Sequence, residues 1–173
     1  MNALTTERLV LRLFRANDID ELAGLLSNPD FMRFSLGVFS RDKAESFLQK
    51  ILARQSEGLP TLLAVELKSQ PHLLGYCGIH DHPEIDDLEI GYRLRPDYWN
   101  RGLITEAARA VRDHAFRDLK LLRVVSLIHP DNIPSRRVAE KNGMTLERQI
   151  TFRGFPTNVF ALSREKWQAL RAA

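Results

Sequence analysis

One stretch, Trp99-Asn100-Arg101-Gly102-Leu103-Ile104-Thr105-Glu106-Ala107, constrains the fold more than any other. It follows an apolar, strand-like run at 88–94 and a turn built on Pro96-Asp97, then opens directly into a helical pattern. The first backbone N–H groups of a helix have no partner inside it. They point outward, carry about half a positive charge together, and bind phosphate. Gly102 removes the side chain that would hold a phosphate away from the backbone. The stretch has neither the Gly-Lys-Ser/Thr of a P-loop nor the three spaced glycines of a dinucleotide fold. Taken singly it is equally an ordinary strand-to-helix turn.

A second stretch repeats the grammar. Residues 121–128, Leu-Leu-Arg-Val-Val-Ser-Leu-Ile, read as a buried strand, and His129-Pro130-Asp131 turns the chain. Asn132-Ile133-Pro134-Ser135 opens another helix, which stops at Asn142-Gly143. Proline near the first helical position and glycine just past the end are the expected punctuation. A helix joins the two strands, so they are expected as parallel neighbours in a right-handed crossover. Both helix starts then lie at one edge of the sheet, where open α/β sheets bind ligands.

The 173 residues are enough for one domain with a real core. At 44% hydrophobic and 27% charged the chain has the composition of a soluble globule. The net charge of +3 is modest and no basic run carries interleaved aromatics, which disfavours nucleic acid as a partner. A single cysteine rules out an intramolecular disulfide and any multi-cysteine metal site. There is no apolar run of about 18 residues and no apolar signal core, so no membrane partner is expected and the cytoplasm is the default location.

Residues 7–14 alternate as a first strand, with Leu9, Leu11 and Leu13 on one face. Asn17 or Asp18 caps a short helix carrying Ile19, Leu22, Leu25 and Leu26, and Ser40 caps a longer one carrying Ala44, Phe47, Leu48, Ile51 and Leu52. Strands at 61–67 and 73–79 flank a turn around Ser69-Gln70-Pro71, and 88–94 is the fourth strand. Ile104, Ala107, Ala108, Val111 and Ala115 stripe the third helix; strand 121–128 and the fourth helix follow. Strands 146–152 and 158–162 form a hairpin around Arg153-Gly154-Phe155-Pro156.

Glu89-Ile90-Gly91-Tyr92, the stretch 99–107, Asn132-x-x-Ser135 and Glu140-Lys141-Asn142-Gly143 together resemble the GNAT N-acetyltransferase superfamily, and within it the RimJ/RimL-like branch that acetylates ribosomal-protein N-termini. The likeness runs through nearly the whole chain, residues 1–173 forming one such domain. It implies an α/β fold with a mixed, mostly antiparallel sheet of about seven strands, splayed between parallel strands 4 and 5, and about four helices. It also implies acetyl-CoA as co-substrate, a primary amine as acceptor, and no metal. In the family the strand backbone around Leu94-Arg95 bonds the pantetheine arm, and Arg101, Gly102, Leu103, Ile104 and Thr105 supply pyrophosphate contacts. Asn132 also reaches the pantetheine there. Ile104 departs from the family's usual Gly or Ala, whereas Trp99 is usual in the Rim-like branch.

Glu89 falls where the family places the carboxylate that accepts the amine proton, often through water; the alternative is a solvent-facing residue near Asp86 and Asp87. Its neighbours Asp81, Glu84, Asp86 and Asp87 could attract a cationic amine or form a solvated loop. Many GNAT enzymes protonate the leaving thiolate with a tyrosine seven residues after the Asn, which here is Ala139. The Rim-like branch has Ser three residues after that Asn, so Ser135 is the candidate acid or sulfur-orienting donor. As alternatives, Asn132 is a simple N-cap and Ser135 solvates the first turn. Cys77 reads as a buried inert thiol. His80, His82 and His129 lack helical i, i+4 spacing and a clear carboxylate set, so no metal site is expected. Tyr92 lines the acceptor side or simply packs. Two classes of function follow: an acetyl-CoA-dependent transferase acting on a protein or peptide α-amine or a small amine (polyamine, aminoglycoside), and a CoA-binding sensor without turnover. The protein is expected as a monomer or homodimer.

Overall fold

A twisted meander fed by alternating apolar residues sets the frame of the computed structural model, which describes residues 2–172. Strands β1 (Leu4–Thr5) and β2 (Leu9–Arg12) precede helices α1 (Ile19–Leu26) and α2 (Arg41–Ser56). The meander proper is β3 (Leu62–Leu67), β4 (Gln70–His82) and β5 (Ile85–Leu94). Helix α3 (Leu103–Arg117), β6 (Arg123–Ile128) and α4 (Ile133–Lys141) alternate next; β7 (Thr145–Phe152), β8 (Phe155–Ser163) and α5 (Arg164–Ala172) follow. Eight strands form one sheet in the order β1-β2-β3-β4-β5-β6-β8-β7, antiparallel throughout except for the parallel β5–β6 pair.

The period of two along β4 and β5 sends side chains to two cores. Tyr76 joins Leu62, Ala64 and Leu73 under α1 and α2. Cys77, Ile79, Ile90 and Leu94 join Leu103, Ala107, Val111 and Phe116 under α3 and α4. Burying each large apolar side chain of α3 contributes about 1.5–3 kcal/mol. Helix α5 is held there by Trp167, which stacks on Phe116 at 5.3 Å and donates its indole N–H to Asp113.

The expected mixed sheet forms, with differences that have local causes. Residues 7–14 are not one strand: the chain turns at Thr6, whose N–H donates to the Leu9 carbonyl, and the extra strand β1 pairs back on β2. The turn expected at Ser69-Gln70-Pro71 is tighter, because Gln70 already pairs with Leu67. Strands β4 and β5 continue through the acidic stretch to a hairpin at 83–84, so Asp86 and Asp87 are strand residues. Phe155 and Pro156 are strand too, the turn being Arg153-Gly154, both at positive φ. Helix α5 was not expected, since Trp167 is its only buried residue and its apolar stripe is short. Ser40 caps α2 through its hydroxyl as expected. Asp18 does not cap α1; its buried carboxylate instead takes Arg12 at 2.8 Å, and Arg12 also holds Glu66.

Side chains open the sheet. The parallel pair has one registered position, Glu89 against Val125. Just beyond it the Ile90 carbonyl accepts the Ser126 hydroxyl at 2.9 Å, and the Leu127 N–H donates to the Glu89 carboxylate at 3.2 Å. Side chains thus take the places of the next ladder bonds, satisfying the Ile90 carbonyl and the Leu127 N–H, and the strands part.

Candidate active site

Helix α3 opens from two left-handed residues, Asn100 at φ +58° and Gly102 at φ +73°, which turn the chain sharply into the helix. The first helical bond is from Glu106 N–H to the Gly102 carbonyl at 3.1 Å. Among the described residues, the N–H groups of Leu103, Ile104 and Thr105 find no acceptor. A Cβ on Gly102 would meet only Arg8 Nη2, at 3.5 Å. Three free donors around open space can accept an anion. Ile104 packs its side chain against the main core, so its bulk is turned inward and its N–H stays available.

The acid in this first turn is neutralised and turned aside. Glu106 accepts from Thr6 Oγ1 at 2.6 Å, Arg8 N–H at 2.9 Å and Arg8 Nε at 2.7 Å. Burial pushes its carboxyl up, but these donors and the Arg8 charge outweigh that and hold it below the usual range. Arg8 also donates to the Arg101 carbonyl at 2.9 Å, which brings a cation beside the cradle from 93 residues upstream. Sequence reasoning missed it, since β2 meets α3 only in space. The Arg101 guanidinium lies over the Tyr98 ring, 5.0 Å from its centroid, and donates to the Asp97 carbonyl.

The start of α4 is different. Ile133 N–H bonds the Asp131 carbonyl, Pro134 has no N–H, and Ser135 N–H donates to Asn132 Oδ1 at 3.2 Å. Asn132 is therefore the cap, with its amide NH2 left free among the described residues. This helix offers no spare N–H for a phosphate. Its role is at the gap: the Ser135 carbonyl accepts the Tyr92 hydroxyl at 3.0 Å, tying β5 to α4, while the Ser135 hydroxyl has no partner among the described residues. Burial pushes the Tyr92 phenol up strongly.

Backbone groups facing the gap follow from strand phase. Arg95 N–H donates to the Leu74 carbonyl at 2.8 Å, and Tyr76–Arg93 and Gly78–Gly91 continue that phase toward β4. Tyr92 and Leu94 thus turn their own N–H and C=O toward β6. The Leu94 carbonyl is already taken by the Trp99 indole N–H at 2.6 Å. Of the two residues expected to hold the pantetheine arm, Leu94 keeps only its N–H free for it, and Arg95 N–H is engaged. Tyr92 offers both backbone groups.

Glu89 lies on the other side of the gap, on the sheet face that carries Tyr76. It is buried, at 9% exposure, and not solvent-facing. Its Oε2 sits 2.5 Å from His82 Nε2 and 3.4 Å from His80 Nε2, and its Oε1 takes Leu127 N–H. Burial pushes the carboxyl up; the His82 bond, both imidazoles and the Leu127 N–H outweigh this and keep it below the usual carboxylate range. Burial lowers His80, against the pull of Glu89. A Cβ on Gly91 would run into His80 Nε2, so glycine in Glu89-Ile90-Gly91-Tyr92 makes room for that ring. The carboxylate that the spacing of His80 and His82 seemed to lack is Glu89, brought in as the cross-strand partner of His80. His129 stays apart, accepting the Asp131 N–H in its own turn. Cys77 is fully buried, which pushes its thiol far up and leaves it inert.

A mixed sheet opened between parallel neighbours, with a bare helix start on one side and a buried carboxylate on the other, defines a class of acyl-transferring α/β proteins. Residues 8–145 match the acetyltransferase (GNAT) domain family, and the chain belongs to it. It is 32% identical over 145 residues, 83% of each chain, to YnaD of Bacillus subtilis, named an uncharacterized N-acetyltransferase. Its fold matches an acetyltransferase crystal structure from Agrobacterium tumefaciens with TM-score 0.84 and 28% identity, covering 94% of each chain. RimL, a ribosomal L7/L12 alpha-N-protein acetyltransferase in complex with coenzyme A, matches with TM-score 0.79 over 94% of this chain and 98% of its own; at 20% identity that likeness is one of fold. The protein is an acetyl-CoA-dependent acetyltransferase. Among the described residues no helix is long and apolar enough to cross a membrane.

Proposed function

We propose that the protein moves an acetyl group from acetyl-CoA to the α-amine of a peptide or protein N-terminus, within one ternary complex. The observation that carries this is the placement of Glu89 and the three free α3 donors on opposite sides of one gap. Acetyl-CoA supplies the reactive thioester when bound. Leu103, Ile104 and Thr105 N–H would hold its pyrophosphate, with Gly102, Arg101 and Arg8 beside it. Tyr92 backbone, Leu94 N–H and the free Asn132 amide would hold the arm that reaches into the gap.

The acceptor then enters on the Glu89 face. Glu89, ionised near neutral pH, attracts the ammonium form and takes the proton that the attacking nitrogen loses. The Ser135 hydroxyl donates a hydrogen bond to the departing sulfur from the α4 side, and as its proton passes to the thiolate a water replaces it on the hydroxyl. Deprotonating an α-amine of pKa about 7.7–8.0 at pH 7 costs about 1 kcal/mol, against about 4–5 kcal/mol for a lysine amine at 10.4. A carboxylate held below its usual range is a weak base and suits the easier amine. Cytoplasmic residence belongs to the same reading.

Thiol release measured with free-N-terminal peptides, N-blocked lysine peptides, polyamines and aminoglycosides tests it. Free N-termini are expected to be preferred, with Glu89→Gln lowering kcat about 10²–10³-fold while coenzyme A affinity holds. Faster turnover with a blocked lysine peptide or a polyamine would overturn the acceptor assignment. Coenzyme A binding with no thiol release from any acceptor would favour a sensor.

A further inference from the structure

Three ligand-bearing side chains converge on the acceptor side of the gap: His80, His82 and Glu89, whose ligand atoms all lie within 4.8 Å of one another. We infer that they form a binding site for a divalent transition-metal ion of the zinc type, and that its occupancy removes Glu89 from acetyl transfer. The second clause rests on Glu89 acting as the base; the first does not.

Several features make the cluster resemble a ligand set more than a chance ion pair. His80 and His82 stand two apart on β4 and turn their rings edge to face, 4.6 Å between centroids. Both present Nε2 to the same oxygen, Glu89 Oε2. Ligand atoms bonded to a tetrahedral zinc at 2.0–2.1 Å lie roughly 3.3–3.4 Å from one another. The His80–Glu89 separation is already 3.4 Å. The His82–Glu89 contact of 2.5 Å has to open by a little under about 1 Å, a small side-chain rotation. The carboxylate is oriented from behind, its other oxygen held by Leu127 N–H, as outer-shell partners orient metal ligands. Gly91 leaves space for the His80 ring. Two imidazoles and one carboxylate suit zinc and its neighbours rather than calcium or magnesium, and three protein ligands leave a fourth position open.

One neighbour opposes the ion. Arg153 Nη2 stands 3.5 Å from His82 Nδ1, and its Nε pairs with Glu84 at 3.2 Å. Metal on Nε2 places the remaining proton on Nδ1, so Arg153 has to swing away and Glu84 becomes the available acceptor for that proton. Arginine is thus both a like charge and a competitor, and its removal should tighten binding.

The test is calorimetric titration of Zn2+ into the full-length, chelator-washed protein, alongside His80→Asn, His82→Asn, Arg153→Ala and Gly91→Ala, with circular dichroism and thermal melting of each to confirm folding. One ion per wild-type chain is expected, binding at least tenfold weaker in either histidine variant and tighter in Arg153→Ala. Zn2+ should raise the melting temperature of wild type and not of His82→Asn. Gly91→Ala, which displaces only the His80 ring, should weaken Zn2+ as His80→Asn does. An isotherm no tighter in wild type than in His82→Asn, with both folded, overturns the site. Acetyl transfer is read separately: with the site filled it should stop, coenzyme A binding should persist, and EDTA should restore turnover. Histidine-dependent Zn2+ binding with undiminished transfer leaves the site standing and removes Glu89 as the base.

Discussion

Substituting Gly102 separates the anion cradle from the stability of the turn that builds it. Gly102 sits at the N-cap of α3 with φ +73°, a region that costs an ordinary L-residue about 1–2 kcal/mol. Space is not the obstacle, since an added Cβ meets only Arg8 Nη2 at ordinary contact distance. Asn tolerates left-handed geometry and is a good N-cap, so Gly102→Asn should cost under about 1 kcal/mol, or roughly 2–4 °C in melting temperature for a chain of this size. Gly102→Asp has nearly the same shape, and its charge at a helix N-terminus should return about 0.3–1 kcal/mol of stability. Toward a bound pyrophosphate that charge is repulsive. One unit charge about 6 Å from a phosphate, at an effective dielectric constant of about 20–40, is worth roughly 1.4–2.8 kcal/mol, a ten- to hundredfold loss of affinity. Calorimetry with coenzyme A at low salt, paired with thermal melting, should find Asp at least tenfold weaker than Asn in binding yet no less stable. Added salt should narrow the gap. Equal affinities for Asp, Asn and glycine at this position would refute the placement of the pyrophosphate on α3.

Other substitutions address the gap and the scaffold. Asn132→Ala should remove the α4 cap, costing about 1 kcal/mol, and weaken coenzyme A binding as well. Ser135→Ala should lower kcat about 10²-fold with melting temperature and cofactor affinity unchanged; wild-type kcat, with chemistry rate-limiting, would leave water as the proton source. Tyr92→Phe should cost about 1 kcal/mol by removing the second hydrogen bond to the Ser135 carbonyl, which the α4 ladder still satisfies, while leaving acetyl transfer measurable, as thermal melting and a thiol assay can show. Asp18→Asn should cost about 2–3 kcal/mol, less than a fully broken buried pair because Glu66 keeps Arg12 partly matched. Burial pushes the Asp18 carboxyl up, but Arg12 and the Arg15 N–H hold it below its unfolded value. Its contribution is therefore whole above about pH 4 and is lost as pH falls toward the folded-state pKa. Acid unfolding curves of wild type and Asp18→Asn should converge there.

Local chemistry made much of this protein readable from its residues. Hydrophobic period placed β3, β4, β5 and β6, and the stripe of α3 was visible because Ala107, Val111 and Ala115 recur at helical spacing. Punctuation of short range, such as Ser40 at α2, Asn132 at α4 and Gly102 at α3, lies within a few residues of what it controls. The parallel β5–β6 pair followed from the helix between them, since a crossover leaves little choice of direction. Tertiary structure decided what depends on partners distant in sequence. Asp18 looked like a helix cap and instead neutralises Arg12, because β2 brings a half-buried guanidinium against it. Arg8 reaches the α3 cradle only because β2 passes beside that helix. Leu94 has the phase that faces the gap and Arg95 does not: which backbone groups face it depends on register with β4, and a shift of one residue exchanges them. His80 and His82 looked unrelated to any carboxylate until the β4–β5 register set Glu89 opposite His80. Sequence spacing records distances along one strand, while the chemistry of this gap is assembled across strands, where register alone determines which side chains meet.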